Sequence, residues 1–500
     1  MIRVTLAAAI ALLCGLLAAG QQAPSASRPN IIIILADDLG YGDIAAFNPN
    51  SRIPTPHVDR LAREGVRYTD AHTNSSVCTP TRYGLLTGRY AWRTDLKRGV
   101  LWGEGDPLIE PTRLTLASML KGQGYATAAM GKWHLGVNWA VRPATTPTTR
   151  TRNQVGWIDY TKPYGRGPTM LGFDAFFGIA ASLDMPPYVY MENDRVPVPP
   201  TTTLPGVPEG DPAFYRPGPA SPGFHPQSVL GDLTSRAVAY LHARSQDAKQ
   251  QPFLLYLALA APHTPVMPTA SFRGRTRIGV YGDFVAETDA AVGQVLRALD
   301  DSKLAERTIV LFTSDNGPAP LGGIGEAASY GHDASGGWRG VKAGLYEGGH
   351  RVPFVVRWPG VVRAGTTSTR VIATTDLVAT VSDLVGASLA RDAAEDSITF
   401  ASNLRDPARS LTRERPLVMH SQNGSFAIRD GPWKLILTHG SGADDDSPAD
   451  SPAARELPSK QLYDLDKDPK ETSNLVGAHP EVVQRLEGLL KNITESGRTR

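Results

Sequence analysis

A chain of 500 residues can bury a large core, and 41% apolar with 20% charged residues is ordinary globular composition, neither disordered nor membranous. The formal net charge of +2 gives no reason to expect a nucleic-acid partner.

At the N-terminus Arg3 precedes an apolar run over residues 4–19, and Ala18, Ala19 and Gly20 stand before Gln21. This is the charged, apolar, small-residue order of a secretory signal peptide, and it predicts residues 1–20 as a cleaved leader. The run is short for a membrane span, which takes about 20 apolar residues, and no comparable stretch follows. Leu13, before Cys14, is larger than the small residue a lipoprotein site wants. The expected mature chain is exported to a periplasmic, extracellular or lumenal compartment and has no membrane span. Cleavage leaves Cys78 as the single thiol. In an oxidising compartment such a thiol is either an inert buried residue or a reagent.

Four short apolar runs follow, each ending in titratable residues. Residues 30–35 (NIIIIL) read as a strand buried on both faces and lead into Asp37, Asp38, Gly40 and Gly42. Residues 126–130 lead into GKWHLG with Lys132 and His134, and residues 253–260 (FLLYLALA) lead into PHTP with His263. Residues 308–313 (TIVLFT) are followed by Ser314, Asp315, Asn316 and Gly317. Apolar residues at helical spacing lie between these runs, at 55–67, 113–122 and 282–299. Strands alternating with helices predict an α/β fold, a large mixed and mostly parallel sheet flanked by helices on both faces. Ligands of such sheets bind beyond the carboxyl ends of the strands, where all four polar sets fall.

Asp37, Asp38, Asp315 and Asn316 offer only oxygen ligands. Oxygen sets suit hard cations rather than zinc, so one divalent ion is expected, calcium ahead of magnesium. A lone Asp after a strand is as well explained by turn or capping chemistry, but a D-D and a D-N pair at two strand ends favour the metal.

Around Cys78 the chain reads SSVCTPTRYGLLTGR over residues 75–89. This resembles the sulfatase signature, with Cys78, Pro80, Arg82, Leu85, Leu86, Thr87 and Gly88 in its positions and Thr81 where serine is frequent. The resemblance extends over residues 29–475 through NIIIILADDLGYGD, GKWHLG, PHTP, FTSDNG, the stretch 331–360 with Lys342, and the C-terminal DGPWKLIL and LYDLDKDPKETSNL. It implies the alkaline-phosphatase superfamily fold, with a catalytic domain over 28–390 and a small α+β subdomain with an antiparallel sheet over 391–500. It also implies that a formylglycine-generating enzyme oxidises Cys78 to formylglycine (3-oxoalanine), whose hydrate attacks sulfate monoesters through a covalent sulfo-enzyme. Carried over to this sequence, Asp37, Asp38, Asp315, Asn316 and residue 78 bind the metal, and Lys132 and Lys342 hold sulfate oxygens. Arg82 holds the diol, His134 takes the proton in the elimination step, and His263 with Lys342 assists the leaving alcohol.

Residues 141–169 and 186–226 read as long irregular loops over the pocket. There Tyr188, Tyr190, Glu192 and Asp194 could meet a carbohydrate, although packing explains them as well. His332 and Ser182 are weaker site candidates. The acidic stretch 441–453 reads as an exposed loop, 480–493 as a packing helix, and Asn74, Asn423 and Asn492 stand in glycosylation sequons. The expected substrate is a sulfated sugar or glycan, with aryl sulfates also accepted. The alternatives are a phosphonate or phosphate ester hydrolase of the same superfamily, and an inactive sulfated-glycan binding protein. The oligomeric state is not encoded in any pattern here.

Overall fold

The computed structural model describes residues 28–142, 155–409, 415–443 and 458–500. The expected leader 1–20, and residues 444–453 of the acidic stretch, lie outside them. Among the described residues no helix is long and apolar enough to cross a membrane.

The β-branched run near the N-terminus forms the central strand of the large sheet, β1 (Asn30–Asp37), buried along its whole length. Its side chains alternate between two cores. Ile31, Ile33 and Leu35 enter one, while Ile32, Ile34 and Ala36 enter the other, as a period of two on a doubly covered sheet requires. The other strands of this sheet are β2 (Val66–Tyr68), β3 (Ala126–Lys132), β4 (Ala175–Ile179), β5 (Met191–Glu192), β6 (Phe253–Pro262), β7 (Thr308–Ser314), β8 (Phe354–Arg357) and β9 (Thr366–Ser368). Their order is β9-β2-β8-β7-β1-β6-β3-β4-β5. The five strands from β7 to β4 run parallel, β8 and β5 pair antiparallel with their inner neighbours, and β9 is parallel to β2.

Helices cover both faces. On one side lie α1 (Pro56–Glu64), α4 (Val229–Ser245) and α5 (Val280–Asp301); on the other lie α2 (Cys78–Thr87), α3 (Leu116–Gly122) and α6 (Leu377–Val385). The helical pattern read over 55–67 stops at Glu64 because β2 begins at Val66. Gly65 marks that change: a Cβ there would stand 2.3 Å from the Val356 carbonyl oxygen, so β8 passes against bare backbone. α3 starts later than its pattern, at Leu116, where Thr115 Oγ1 accepts the Ser118 N–H at 3.0 Å as an N-cap.

A second, antiparallel sheet follows in the C-terminal part, β10 (Leu417–His420), β11 (Phe426–Asp430), β12 (Trp433–Ile436) and β13 (Gln461–Asp464), paired in chain order. The amphipathic helix α7 (Pro480–Glu495) closes over it with Val483, Leu486, Leu490 and Ile493. The end of β10 faces the chain before α2, and Ser75 Oγ donates to the His420 carbonyl at 2.7 Å. Asn74 of the first sequon is buried, with Nδ2 donating to the Pro80 carbonyl at 3.0 Å, so in the folded chain it is a structural residue and not an acceptor for a glycan. Asn492 is exposed.

Candidate active site

Strand ends and one helix start deliver the chemical groups. β1 outruns its apolar stretch and ends on Asp37, with Asp38 following at φ 64°. Asp315 and Asn316 follow β7, and the Asp315 N–H donates to the Ala36 carbonyl at 3.1 Å, which locks the two strand ends in register. β3 ends on Lys132, and His134 lies two residues on at φ 56°. β6 hands over to His263, and Ala343 beside Lys342 has φ 77°. Left-handed backbone is uncommon for such residues and persists where the surroundings hold it. Three instances converge on this one site.

Cys78 opens α2, so the free N–H groups and positive dipole end of that helix lie at the site. Arg82, one turn on, is fully buried. Its Nε and Nη2 donate to Asp315 Oδ2 at 3.0 and 2.8 Å, and its Nη1 to the Lys132 carbonyl at 2.9 Å. Lys132 Nζ lies 2.6 Å from Asp37 Oδ2, and Lys342 Nζ lies 2.7 Å from Asp38 Oδ1. Asn316 Nδ2 donates to the same Asp38 Oδ1 at 2.7 Å, and His263 Nε2 lies 3.6 Å from Asp38 Oδ2. The residues that the sequence singled out at four strand ends thus form one cluster with Cys78.

Two acceptors in this cluster, Asp37 Oδ1 and Asn316 Oδ1, are buried with no hydrogen-bond donor among the described residues. An orphaned buried acceptor costs about 1–3 kcal/mol. Asp37, Cys78 and Asp315 offer ligand atoms within 4.8 Å of one another, and so do Asp37, Asp38 and His263. The donor set and the two orphans fit a hard divalent cation. Asp37, Asp38 and Asp315 balance Arg82, Lys132 and Lys342, so a bound cation would leave the cleft with surplus positive charge for an anionic ester.

Burial and the neighbouring Asp37 push the Asp315 carboxyl up to about 6. Burial would raise Asp37 too, but Lys132, His263 and Arg82 outweigh it and hold that carboxyl far below the usual range. Burial pushes the Cys78 thiol up despite Lys132 and Lys342, which disfavours a thiolate nucleophile. Burial, then Lys132 and Arg82, hold His134 well below its usual value. Its Nε2 faces the Leu101 carbonyl at 2.7 Å and its buried Nδ1 has no partner among the described residues, so the neutral ring presents a bare Nδ1. His263 Nδ1 faces the Thr264 carbonyl at 2.6 Å, which leaves Nε2 toward Asp38.

A cleft of about 430 Å³ opens over Asp38, Cys78, His263 and Lys342. Ser182 lines it, with a hydroxyl that has no partner among the described residues. His332 does not; its Nε2 faces Asp43 Oδ1 at 2.8 Å, away from the cleft, as part of the fold. Of the two long loops expected over the pocket, 186–226 reaches it through Glu209, and residues 143–154 of the other lie outside the described residues. No described residue of 141–169 lines the cleft, and Val155, Ile158, Tyr160 and Tyr164 join the core instead. Tyr188 is buried, Tyr190 donates to Asp232, Glu192 faces Arg236 and Asp194 pairs with Arg195, so none of these four reaches the cleft. Arg98, Trp102, Asp184, Glu209 and Gln422 do line it. No motif marks them, since they come from irregular segments that meet only in the fold.

The sulfatase family profile matches residues 29–387. The chain is similar to an N-acetylgalactosamine-6-O-sulfatase of Bacteroides thetaiotaomicron, at 32% identity over 94% of each chain. It is also similar to human arylsulfatase A, at 36% identity over 93% of this chain and 87% of the relative. A solved structure from work on the metabolism of multiple glycosaminoglycans by Bacteroides thetaiotaomicron superposes with a TM-score of 0.79 at 31% identity, covering 93% of this chain and 99% of that one. On the matching profile, the near full-length relatives and the shared fold, the chain belongs to the sulfatase family and is a sulfuric ester hydrolase.

Proposed function

We propose that this sulfatase removes sulfate from sulfated sugars, and also from aryl sulfates, by a formylglycine made from Cys78. The observation that carries the proposal is the setting of Cys78. A protonated, buried thiol stands among metal-fitting carboxylates, two lysines and two histidines, where a thiol has no evident use. Oxidation by a formylglycine-generating enzyme would give an aldehyde that hydrates to a geminal diol. One hydroxyl passes its proton to the Asp315 carboxylate, which offers an oxygen within 4.8 Å of the residue 78 side chain, and attacks sulfur. The S–O bond to the alcohol breaks as the alcohol oxygen takes a proton from His263, with Lys342 beside it. His134 then takes the proton of the second hydroxyl at its bare Nδ1, sulfate departs, and the aldehyde returns. Lys342, which lines the cleft, and Lys132, buried beneath it against Asp37, would hold sulfate oxygens, and Arg82 fixes the Asp315 carboxylate. Asp37, Asp38, Asp315, Asn316 and residue 78 would hold the cation, for which the oxygen-rich set favours calcium over magnesium. Such an ion supplies charge that stabilises the sulfate oxygens in the transition state.

Sugar substrates are favoured because the relative that covers 94% of this chain is an N-acetylgalactosamine-6-O-sulfatase. The leader pattern at 1–20 supports export, which N-terminal sequencing of the secreted protein tests. Mass spectrometry of the peptide spanning Cys78, alongside assays on sulfated mono- and disaccharides, an aryl sulfate and an aryl phosphonate, tests the chemistry. Full turnover with the thiol wholly unmodified would end the formylglycine proposal, and faster phosphonate than sulfate turnover would end the substrate assignment.

A further inference from the structure

The Cys-x-Pro-x-Arg frame leaves Thr79 and Thr81 unspecified, yet both hydroxyls are buried and bonded. Thr81 Oγ1 donates to the Ser75 carbonyl at 3.0 Å, which ties α2 back to the segment just before it. Thr79 reaches further. Its Oγ1 donates to the His134 carbonyl at 3.0 Å and accepts the Leu101 N–H at 3.2 Å. The Leu101 carbonyl in turn faces His134 Nε2 at 2.7 Å. Thr79, Leu101 and His134 close a ring of hydrogen bonds through one hydroxyl.

Which nitrogen of a histidine is bare depends on what the other nitrogen is bonded to. Here that partner is a backbone carbonyl in residues 97–101, which form no helix or strand. The segment is held from outside by the C-terminal sheet. His420 Nε2 faces the Lys97 carbonyl at 2.9 Å, and the Gly99 N–H donates to the Gln422 carbonyl at 2.7 Å. From inside, the Thr79 hydroxyl holds its far end. We propose that Thr79 is a positioning residue, whose hydroxyl sets the Leu101 carbonyl against His134 Nε2–H and so keeps Nδ1 bare. The role needs both the proton and the lone pair of the hydroxyl. Serine supplies both, and valine, of the same shape, supplies neither.

This inference rests on His134 acting as the base of the proposed reaction. The test compares Thr79→Val, Thr79→Ala and Thr79→Ser with the wild type on an aryl sulfate and a sulfated sugar, with rates normalised to the formylglycine fraction from mass spectrometry. For Val and Ala, kcat per modified site is expected to fall at least about 10-fold, with KM within about twofold. Thr79→Ser is expected within about threefold of wild type. A readout that needs no modification is the 15N shift pair of the His134 ring, assigned with His134→Gln. It should show the Nε2–H tautomer in wild type and Thr79→Ser, and tautomer averaging in Thr79→Val. Wild-type kcat per site in Thr79→Val, equal losses in Ser and Val, or an unchanged tautomer in Val would each overturn the inference. An inactive or formylglycine-free wild type would instead refute the proposed reaction and leave the tautomer result to decide Thr79.

Discussion

Removing the Arg82 guanidinium is the sharpest perturbation of the cluster. Arg82→Met keeps most of the side-chain volume, deletes two charge-assisted bonds to Asp315 Oδ2 and strands the Lys132 carbonyl. Breaking a buried ion pair from one side costs about 3–5 kcal/mol, and the orphaned carbonyl adds about 1 kcal/mol. A loss of about 4–6 kcal/mol is large against a typical stability of about 5–15 kcal/mol. Arg82→Lys keeps the charge, but one ammonium cannot reproduce the fork between Asp315 and the carbonyl, so about 1–3 kcal/mol is expected. Arg82 also belongs to the modification frame, which makes activity a confounded readout. Urea unfolding in a Cys78→Ser background avoids this. The charge count adds a second condition: without Arg82 the remaining groups carry one surplus negative charge, which a divalent cation offsets. The Arg82→Met loss should therefore be larger in chelator than in excess Ca2+. A change under about 1 kcal/mol in chelator, or a larger loss with Ca2+ than without, would refute the account of Arg82 as the counter-ion of Asp315.

Other outcomes follow from the same geometry. If His263 protonates the leaving alcohol, His263→Ala should lower kcat about 100-fold or more on a sugar sulfate but far less on 4-nitrophenyl sulfate, whose phenolate leaves without help; steady-state kinetics on both substrates decide it. Because the Asp315 carboxyl is pushed up to about 6, protons compete with the cation below that pH, and Ca2+ affinity by calorimetry should weaken by up to about tenfold per pH unit there. His134 and His350 are held well below their usual range by burial, and His420 at about 4. Unfolded rings take a proton near 6.5 and these folded ones do not, so the stability they contribute is complete above 6.5 and is lost as pH falls below it, down to about 4 for His420. For His420 the shift corresponds to about 3 kcal/mol, and His420→Gln should flatten the fall in melting midpoint between pH 7 and 4.5. Gly131→Ala should cost more than about 3 kcal/mol in thermal or urea unfolding, since φ is 123° and a Cβ would stand 1.7 Å from the Ala258 carbonyl oxygen.

What the sequence makes legible is local. β1 could be read because a doubly buried strand is a continuous apolar run. Its ligands could be read because they follow that run directly, and the same holds for Lys132 and for Asp315 with Asn316. Lys342 stands outside this logic. It lies on no strand end, and its approach to Asp38 was visible only through the family resemblance. The cleft wall was not visible either. Asp184 lines the cleft with one oxygen held by Arg216 at 2.5 Å, and that arginine stacks near Trp102 and Phe214 at 4.8 Å from each ring. These partners lie on separate irregular segments, and no periodicity brings them together.

The contact of the C-terminal sheet with the segments following β2 and preceding β8 shows most clearly why the rest was hidden. Lys434 sits inside β12, in the stretch read as part of a terminal subdomain, and is fully buried. Its ammonium lies 2.9 Å from Glu347, 2.8 Å from Glu471 and 3.0 Å from His350 Nε2, while His350 Nδ1 faces His72 Nδ1 at 3.0 Å. Asp70 joins from the other side, 2.7 Å from His72 and paired with Arg351 and Arg429. Taken one at a time in the sequence, each of these residues reads as a solvated surface charge, since charged side chains are rarely buried unless paired. Here they are paired across more than 350 residues of chain, between Asp70 and Arg429. His72, Glu347 and His350 alone would offer ligand atoms within 4.8 Å for a metal, but the Lys434 ammonium already supplies the positive charge that such a set attracts. The two clusters therefore differ in one physical respect. Cations reach carboxylates in both clusters, but around Asp37 and Asn316 two buried acceptors, Asp37 Oδ1 and Asn316 Oδ1, are left without donors, whereas here Glu471 Oε1, the one carboxylate oxygen without a hydrogen bond, still has Lys434 Nζ at 2.8 Å. That difference separates a site fitted to a cation from a charged seam that joins the C-terminal sheet to the segments following β2 and preceding β8.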